Sequence, residues 1–159
     1  MIEGLLVLPL QRFEDERGWF TELRRESLLP KPTRQTNVAY SRRGVIRGLH
    51  YHERGQCDLF ACLQGMMRVV VLDRGSGETF TADIGDDNQV AIYIPGHHAH
   101  GYEALTDVLF TYHVTEEYDP AEPDEQGLCW ADPRVKHLWS TQSPILSPRD
   151  AAACSGLSE

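Results

Sequence analysis

The sequence predicts an all-β domain, either a sandwich or a barrel, and two observations support this. Short runs rich in β-branched and aromatic residues recur about every 8 to 12 residues, with Gly, Pro, Asn and Asp between them. Only the tail, residues 147–153, is typical of a helix. With 159 residues, the chain is long enough for one substantial core, so we expect a single domain over residues 1–159.

The expected strands are apolar or alternating runs bounded by turn residues. The first covers residues 5–10, and the second, residues 19–23, follows a turn at 13–18. The strands on either side of Gln64 and Gly65 are expected to pair as a hairpin. The remaining strands are predicted at 34–40, 45–51, 58–63, 67–72, 79–84, 90–94, 100–104 and 108–115.

Charge and composition argue against several classes of protein. The formal net charge of −9 disfavours nucleic-acid and anionic-membrane partners. No apolar run approaches the ~18 residues that a membrane helix needs, and residues 1–10 lack the basic run of a secretory signal. We therefore expect a cytoplasmic protein with reduced thiols at all four cysteines, Cys57, Cys62, Cys129 and Cys154.

The stretch Arg47-Gly48-Leu49-His50-Tyr51-His52 has strand composition but carries an arginine and two histidines. Side chains two apart on a strand point to the same face, so His50 and His52 share a face, with Tyr51 opposite. A second pair, His98 and His100, follows further along the chain. A single histidine is usually structural, but two such pairs would line a pocket with imidazoles that either move protons or hold a metal.

Two later residues are candidate partners of a catalytic histidine. Tyr112 shares a strand face with Phe110 and Val114, as a core residue would, yet a tyrosine hydroxyl opposite a histidine is a ready general acid. Asp150 is either a plain helix cap or a carboxylate that accepts from a histidine Nδ1–H, which would fix the tautomer and raise the basicity of the ring.

A polar set lies nearer the N-terminus, in or beside the expected strands. Each member alone is typical of a solvated surface, but together their arginine forks and amides could clamp a phosphorylated, hydrogen-bonding ligand. The members are Arg17, Glu22, Gln35, Asn37 and Arg47.

Several motifs taken together resemble those of a known family. They are Asp15-Glu16-Arg17-Gly18-Trp19-Phe20-Thr21-Glu22, Gln35-Thr36-Asn37, Gly44-Val45-Ile46-Arg47-Gly48-Leu49-His50-Tyr51, Ala99-His100-Gly101-Tyr102, and the segments 112–120 and 147–153. In order and spacing they are similar to the dTDP-4-dehydrorhamnose 3,5-epimerases and their nucleotide-sugar epimerase relatives. The resemblance implies a cupin-type jelly-roll barrel with a short C-terminal helical segment, and no metal or organic cofactor. It also implies a homodimer, which would cover open edge strands.

The resemblance further implies a nucleoside-diphospho-4-keto-6-deoxysugar as substrate, inverted at C3, C5 or both. His50 is similar in position to the family's catalytic base, Asp150 to its carboxylate partner, and Tyr112 to the tyrosine that protonates the opposite face. The implied substrate contacts are Gln35, Asn37, Arg47, the pocket histidine His100, Tyr118 near the base, and Arg17, Phe20 and Glu22, which reach the nucleotide, often across a dimer interface.

The chain departs from the family pattern at two places. Asp58 stands where the family normally has a lysine that would help to stabilise an enolate oxygen, and His52 replaces a non-histidine residue; we still place Asp58 among the substrate contacts. These departures keep a second hypothesis open, a metal-dependent cupin enzyme using His50, His52, Asp58 and His100, with Gln56 as an alternative oxygen ligand. The same scaffold could also serve a sugar-nucleotide keto-isomerase, or a non-catalytic module that binds a sugar nucleotide.

Overall fold

Twelve strands build most of the computed structural model, which describes residues 1–156. They are β1 (Leu6–Pro9), β2 (Arg12–Asp15), β3 (Gly18–Thr21), β4 (Gln35–Ser41), β5 (Ile46–Tyr51), β6 (Cys57–Gln64), β7 (Met66–Leu72), β8 (Thr79–Gly85), β9 (Val90–Pro95), β10 (Ala99–Ala104), β11 (Val108–Val114) and β12 (Gln126–Gly127). A short helix, α1 (Pro148–Ala152), lies near the C-terminus, and single 3₁₀ turns cover Glu26–Leu28 and Lys136–Leu138. Over this described range, none of the helices has the length and apolar character needed to cross a membrane.

Ten of these strands form two antiparallel five-stranded sheets. The first sheet has the order β1-β9-β6-β11-β4 and the second the order β12-β5-β10-β7-β8, while β2 and β3 form a separate hairpin. From β4 to β11, all consecutive strands except β7 and β8 lie in different sheets, so the chain passes repeatedly between the two layers. This is the arrangement of a jelly roll, and the predicted fold class is confirmed.

Apolar side chains fill one part of the space between the sheets, because alternate residues of each strand point inward. Phe60 and Phe110 of the first sheet pack against Met67 and Tyr102 of the second. The rings of Phe60 and Phe110 meet edge to face, with centroids 4.9 Å apart. Three of these four residues also border the cavity described below, so the core forms its apolar wall.

The hairpin predicted at Gln64 and Gly65 is wrong. β6 pairs with β9 and β11, whereas β7 pairs with β8 and β10, so the chain crosses between the sheets at this glycine. Gly65 has a φ of +88°, and an added Cβ would collide with the carbonyl oxygen of Asp107. A hairpin and a crossover both need a tight turn, and local sequence does not distinguish them.

The predicted turn at residues 13–18 is shorter than expected. Residues Arg12–Asp15 form β2, which pairs with β3, and only Glu16 and Arg17 remain in the turn. The acidic run at 14–16 concealed the strand, because Asp and Glu are depleted in strands.

The expectation of four reduced cysteines is wrong for two of them. Cys129 and Cys154 form a disulfide, while Cys57 and Cys62 are buried free thiols. The paired cysteines are 25 residues apart in the chain, Cys129 just after β12 and Cys154 just after α1. The two segments lie close together, since a Cβ on Gly127 would be 3.4 Å from the Cβ of Ala153. The disulfide therefore fastens α1 to the rest of the barrel.

Candidate active site

A cavity of about 990 Å³ lies between the two sheets. β4, β6 and β11 contribute to one wall and β5 and β10 to the other, and the segment 116–125 and the start of α1 complete it. Among residues 1–156, eight carboxylic acids and three arginines line this cavity, which gives it a negative formal charge. The acids are Asp58, Glu116, Glu117, Asp119, Glu122, Asp124, Glu125 and Asp150, and the arginines are Arg47, Arg54 and Arg149.

His50, near the end of β5, has a carboxylate on each side of its ring. Its Nε2 is 2.7 Å from Oδ1 of Asp150, and its Nδ1 is 3.3 Å from Oε1 of Glu125. Nε2–H donates to the closer carboxylate, which leaves a lone pair on Nδ1 that can take a proton. The predicted contact between a histidine and Asp150 is present, but at Nε2 rather than Nδ1.

The first turn of α1 holds Asp150 in place. The hydroxyl of Ser147 caps the helix by accepting a hydrogen bond from the Asp150 backbone N–H, and Pro148 begins the first turn. The buried carboxylate also accepts the backbone N–H of Gly48 at 3.2 Å. Burial by itself raises the pKa of Asp150, but the hydrogen bonds and charges of its neighbours, chiefly His50, outweigh it and hold the pKa below its usual value.

Two glycines allow β5 and β10 to approach closely at the site. Gly48 has a φ of +144°, and a Cβ there would lie 2.8 Å from the Cα of Gly101 on β10. Next to this contact His50 and His100 are cross-strand partners. A side chain at Gly48 would push β5 and β10 apart, so glycine is needed there to keep His50 and His100 side by side.

Tyr112 reaches the cavity from β11, in the sheet opposite His50. As predicted, it shares a face with Phe110 and Val114, and its ring stacks on Phe110 at 5.1 Å. Burial raises the pKa of Tyr112, and the negative charges of Asp58 and Glu125 raise it further. The phenol is therefore protonated at neutral pH and can donate a proton.

His52, Asp58 and His100 form a second cluster, which is buried in the cavity wall. Oδ2 of Asp58 lies 3.2 Å from Nε2 of His100 and 3.8 Å from Nε2 of His52. Burial by itself raises the pKa of Asp58, but the two imidazoles hold it well below its usual value, so the carboxylate is ionised. Within the described residues His50 is not part of this group, so the four-ligand set of the metal-dependent hypothesis is reduced to three.

Four further predicted contacts also line the cavity. Gln35 and Asn37 share a face of β4, and Nε2 of Gln35 donates to Oδ1 of Asn37 at 2.8 Å. Oε1 of Gln35 accepts the backbone N–H of Tyr118 at 2.8 Å, which fixes Tyr118 at the cavity. Nε of Arg47 donates to the hydroxyl of Ser41 at 2.8 Å.

Arg17 and Phe20 of the β2–β3 hairpin, and Glu22 just after it, do not line the cavity of their own chain. All three residues, which were predicted to contact the substrate, are exposed to solvent. Arg17 forms an ion pair with Asp15, and Glu22 forms one with Arg25. Phe20 is 64% exposed.

The predicted second histidine pair is only half present. His100 faces the cavity, whereas Nε2 of His98 lies 3.0 Å from the carbonyl oxygen of Glu3, on another side of the barrel. β10 begins at Ala99, so the alternation of a strand does not extend to His98.

Sequence reasoning missed Asp124 and Glu125, two consecutive residues that contact the two imidazoles of the first pair. The carbonyl oxygen of Asp124 accepts from Nδ1 of His52, and Glu125 lies beside His50 and pairs with Arg149. They lie in an irregular, acid-rich segment without periodicity, which normally indicates a solvated loop. Its density of acids was the only signal available.

A jelly-roll barrel whose cavity holds a histidine–carboxylate dyad opposite a tyrosine defines a cupin-type enzyme equipped for proton transfer. The chain belongs to the dTDP-4-dehydrorhamnose 3,5-epimerase family, whose model matches residues 1–157, and the resemblance seen in the sequence is confirmed.

Individual relatives are similar over most of the chain. The spore coat polysaccharide biosynthesis protein SpsL of Bacillus subtilis is 37% identical over 151 residues, covering 89% of this chain and 99% of that protein. The dTDP-4-dehydrorhamnose 3,5-epimerase of Escherichia coli is 34% identical over 164 residues, covering 94% and 88%. The crystal structure of the dTDP-6-deoxy-D-glucose-3,5-epimerase RmlC from Legionella pneumophila, in complex with dTDP-4-keto-L-rhamnose, has a TM-score of 0.85 at 32% identity, covering 96% and 87%.

Proposed function

We propose that this protein epimerises a nucleoside-diphospho-4-keto-6-deoxyhexose. The main support is that the His50–Asp150 pair lies on one side of the cavity and Tyr112, from the opposite sheet, lies on the other. The relatives support it, since the Legionella structure contains dTDP-4-keto-L-rhamnose. A dTDP-linked 4-ketosugar is therefore the first substrate to test.

The reaction follows from the acidity that a ketone confers on its neighbouring carbons. When a proton leaves C3 or C5, the charge spreads to the C4 oxygen as an enolate, which needs nearby donors or cations. Nδ1 of His50 takes the proton, and Asp150 and Glu125 stabilise the imidazolium that forms. Tyr112 returns a proton from the opposite face, which inverts the carbon without any net redox change.

The nucleotide sugar requires cations for its diphosphate and hydrogen bonds for its sugar. Arg47, Arg54 and Arg149 are the guanidinium groups that line the cavity, and planar forks of this kind suit phosphate oxygens. The linked amides of Gln35 and Asn37 can bond hydroxyl or carbonyl groups of the ligand.

We also propose that the active form is a homodimer. β4 is an edge strand of the first sheet and carries the exposed side chains Val38 and Tyr40, at 62% and 57% exposure. The β2–β3 hairpin adds Phe13, Trp19 and Phe20, which are about half exposed or more. A second copy that pairs along β4 would cover these groups and bring Arg17, Phe20 and Glu22 to the neighbouring cavity. Light scattering tests this state, and a monomer at assay concentrations contradicts it.

The cytoplasmic location stays a prediction. The Cys129–Cys154 disulfide weighs against it, because disulfides are rare in reducing compartments. Fractionation of expressing cells, with thiols blocked at lysis, tests both the location and the state of the pair.

Deuterium exchange tests the proposed function directly. Incubation with dTDP-4-keto-6-deoxyglucose in D₂O is expected to place deuterium at C3, C5 or both, and NMR of the product identifies the carbon. His50→Asn should stop the exchange, whereas His97→Gln, at an exposed histidine outside the cavity, should not. Tight binding of the sugar nucleotide without any exchange would instead identify a binding module and overturn the proposal.

A further inference from the structure

The buried cluster of His52, Asp58 and His100 brings three hydrogen-bond acceptors together. Nδ1 of His100 lies 2.8 Å from the carbonyl oxygen of His98, and Nδ1 of His52 contacts the carbonyl oxygen of Asp124. A carbonyl oxygen can only accept, so each Nδ1 carries a proton, and Nε2 of a neutral ring presents a lone pair. Both Nε2 atoms point toward Oδ2 of Asp58. With both rings neutral these acceptors repel one another, and the amide of Gln56, which contacts Asp58 and His52, offsets only part of that repulsion. Protons on the rings or a bound cation would supply the positive charge that holds the three groups together.

We propose that His52, Asp58 and His100 bind a divalent first-row transition-metal ion in the cavity wall. Their ligand atoms all lie within 4.8 Å of one another. Ligand atoms at ~2.1 Å from a tetrahedral ion are about 3.4 Å apart, and the distances from Oδ2 of Asp58 to Nε2 of His100 and of His52 are 3.2 and 3.8 Å. The second ring nitrogens also fit, because metal-bound histidines almost always donate their other N–H to a carbonyl or a carboxylate.

The ligand set defines the kind of ion. Two imidazoles and one carboxylate suit Zn²⁺, Fe²⁺, Mn²⁺ or Co²⁺, whereas Ca²⁺ and Mg²⁺ prefer oxygen ligands alone. Three protein ligands leave coordination positions open, as in catalytic rather than structural sites. The side-chain amide nitrogen of Gln56 lies 3.0 Å from Asp58 and 3.2 Å from His52, and rotation of this amide would offer Oε1 as a fourth ligand.

The charge of the cavity also favours a cation. Its eight carboxylic acids outnumber its three arginines, and two of those arginines already pair with acids, Arg54 with Asp124 and Arg149 with Glu125. An ion held by the cluster presents positive charge to an oxygen of a ligand in the cavity. If the ligand is a 4-ketosugar, as the proposed function requires, that oxygen is the C4 ketone oxygen, which becomes negative when the proton leaves the neighbouring carbon.

Titration of the chelator-treated protein with Co²⁺ tests the site, because calorimetry gives the stoichiometry and the visible absorption of bound Co²⁺ reports its ligands. We expect one ion per chain. Asp58→Asn should weaken binding at least about 100-fold, since even loss of a group that only orients a ligand costs 10- to 100-fold. Asp58→Glu, which restores a carboxylate, should recover most of the affinity, and His97→Gln should leave it unchanged.

Two results would overturn the metal site. One is the absence of stoichiometric Co²⁺ or Zn²⁺ binding to the wild-type protein, which would assign the positive charge to protons on the rings. The other is equal affinity in the wild type and in a folded Asp58→Asn variant. Thermal unfolding of each variant confirms that it is folded.

Deuterium exchange measured on the same preparations separates this inference from the proposed function. Exchange by a protein that binds no metal overturns the metal site and leaves the epimerase intact. Metal binding by a protein that shows no exchange under any condition supports the metal site and overturns the proposed epimerase function. Asp58→Lys places a fixed cation at the same point, so its exchange should be insensitive to chelator, whereas exchange by the wild type should fall when the ion is removed.

Discussion

Two imidazole–carboxylate groups lie side by side in one cavity and differ in what surrounds them. His50, two residues before His52, has a side chain that is 22% exposed, and its bonded ring nitrogen faces the carboxylate of Asp150 on α1. His52 and His100 are nearly fully buried, and their Nδ1 atoms face backbone carbonyls. The same residue types thus form a proton-transfer pair in one place and a candidate ligand set in the other.

The chemical role of each histidine depends on the group that its second ring nitrogen contacts. A carboxylate at one nitrogen stabilises the charged ring, which is what a base needs after it has taken a proton. A backbone carbonyl fixes the neutral tautomer and directs the other lone pair, which is what a metal ligand needs. Consecutive residues supply these two kinds of partner, Glu125 to His50 and Asp124 to His52.

Mutation of His50 should strongly impair proton transfer without affecting metal binding by His52, Asp58 and His100. His50→Asn removes the base and should lower deuterium exchange by about 10²- to 10⁴-fold, while Co²⁺ binding stays unchanged. Loss of Co²⁺ binding in this variant would show that the groups form a single site.

The Cys129–Cys154 disulfide should stabilise the fold and hold α1, which carries Asp150, in place beside His50. Loss of the 25-residue link between Cys129 and Cys154 is expected to lower the free energy of unfolding by about 3 kcal/mol. Urea unfolding of the wild type with and without reductant measures this, and Cys154→Ser is the control, since its stability should not respond to reductant. Exchange should fall with reduction while Co²⁺ binding persists, because Asp58 lies on β6 and not on the tethered helix.

Asp150→Asn tests the orienting carboxylate. The amide keeps the shape but no longer stabilises a charged ring, so kcat for exchange should fall by about 100-fold, the lower end of what general base catalysis contributes, with little change in KM. A large rise in KM at unchanged kcat would assign Asp150 to substrate binding instead.

Acid should destabilise the wild type more than the Asp150→Asn variant. The pKa of Asp150 is lower in the folded than in the unfolded chain, so this carboxylate adds stability above the ordinary carboxyl pKa of about 4. That stability is lost as the pH falls through the lowered folded value. Urea unfolding at neutral and acidic pH should therefore give a smaller difference in the Asn variant, and an equal difference would contradict the assignment.

Glu125→Gln should have the smallest effect. Its carboxylate is 30% exposed and shared with Arg149, and partly exposed ion pairs contribute about 1 kcal/mol or less. We expect exchange to slow about fivefold at most, because Gln removes one of the two anions that stabilise the imidazolium. A much larger loss at unchanged fold would assign Glu125 a direct part in the proton transfer.

Much of the barrel could be predicted from local pattern. Strand periodicity and turn residues placed β4 to β11 within a few residues, since half-buried strands impose alternation. The pairing of strands could not be predicted in this way, and the chain crosses between sheets at Gly65 where a hairpin was expected. Pairing depends on contacts far apart in sequence, which a local pattern does not encode.

For the site, the sequence supplied the residue types and, through the family resemblance, the grouping of His50, Tyr112 and Asp150. It could not predict that Asp150 contacts Nε2 of His50 or that His98 lies outside the cavity, and it did not reveal Asp124 and Glu125 beside the two imidazoles. The Cys129–Cys154 disulfide is likewise a feature that the sequence did not predict. The physical reason is common to all of them: hydrogen bonds and disulfides form at distances of a few ångströms, and residues distant in the chain reach those distances only after the sheets and α1 have packed.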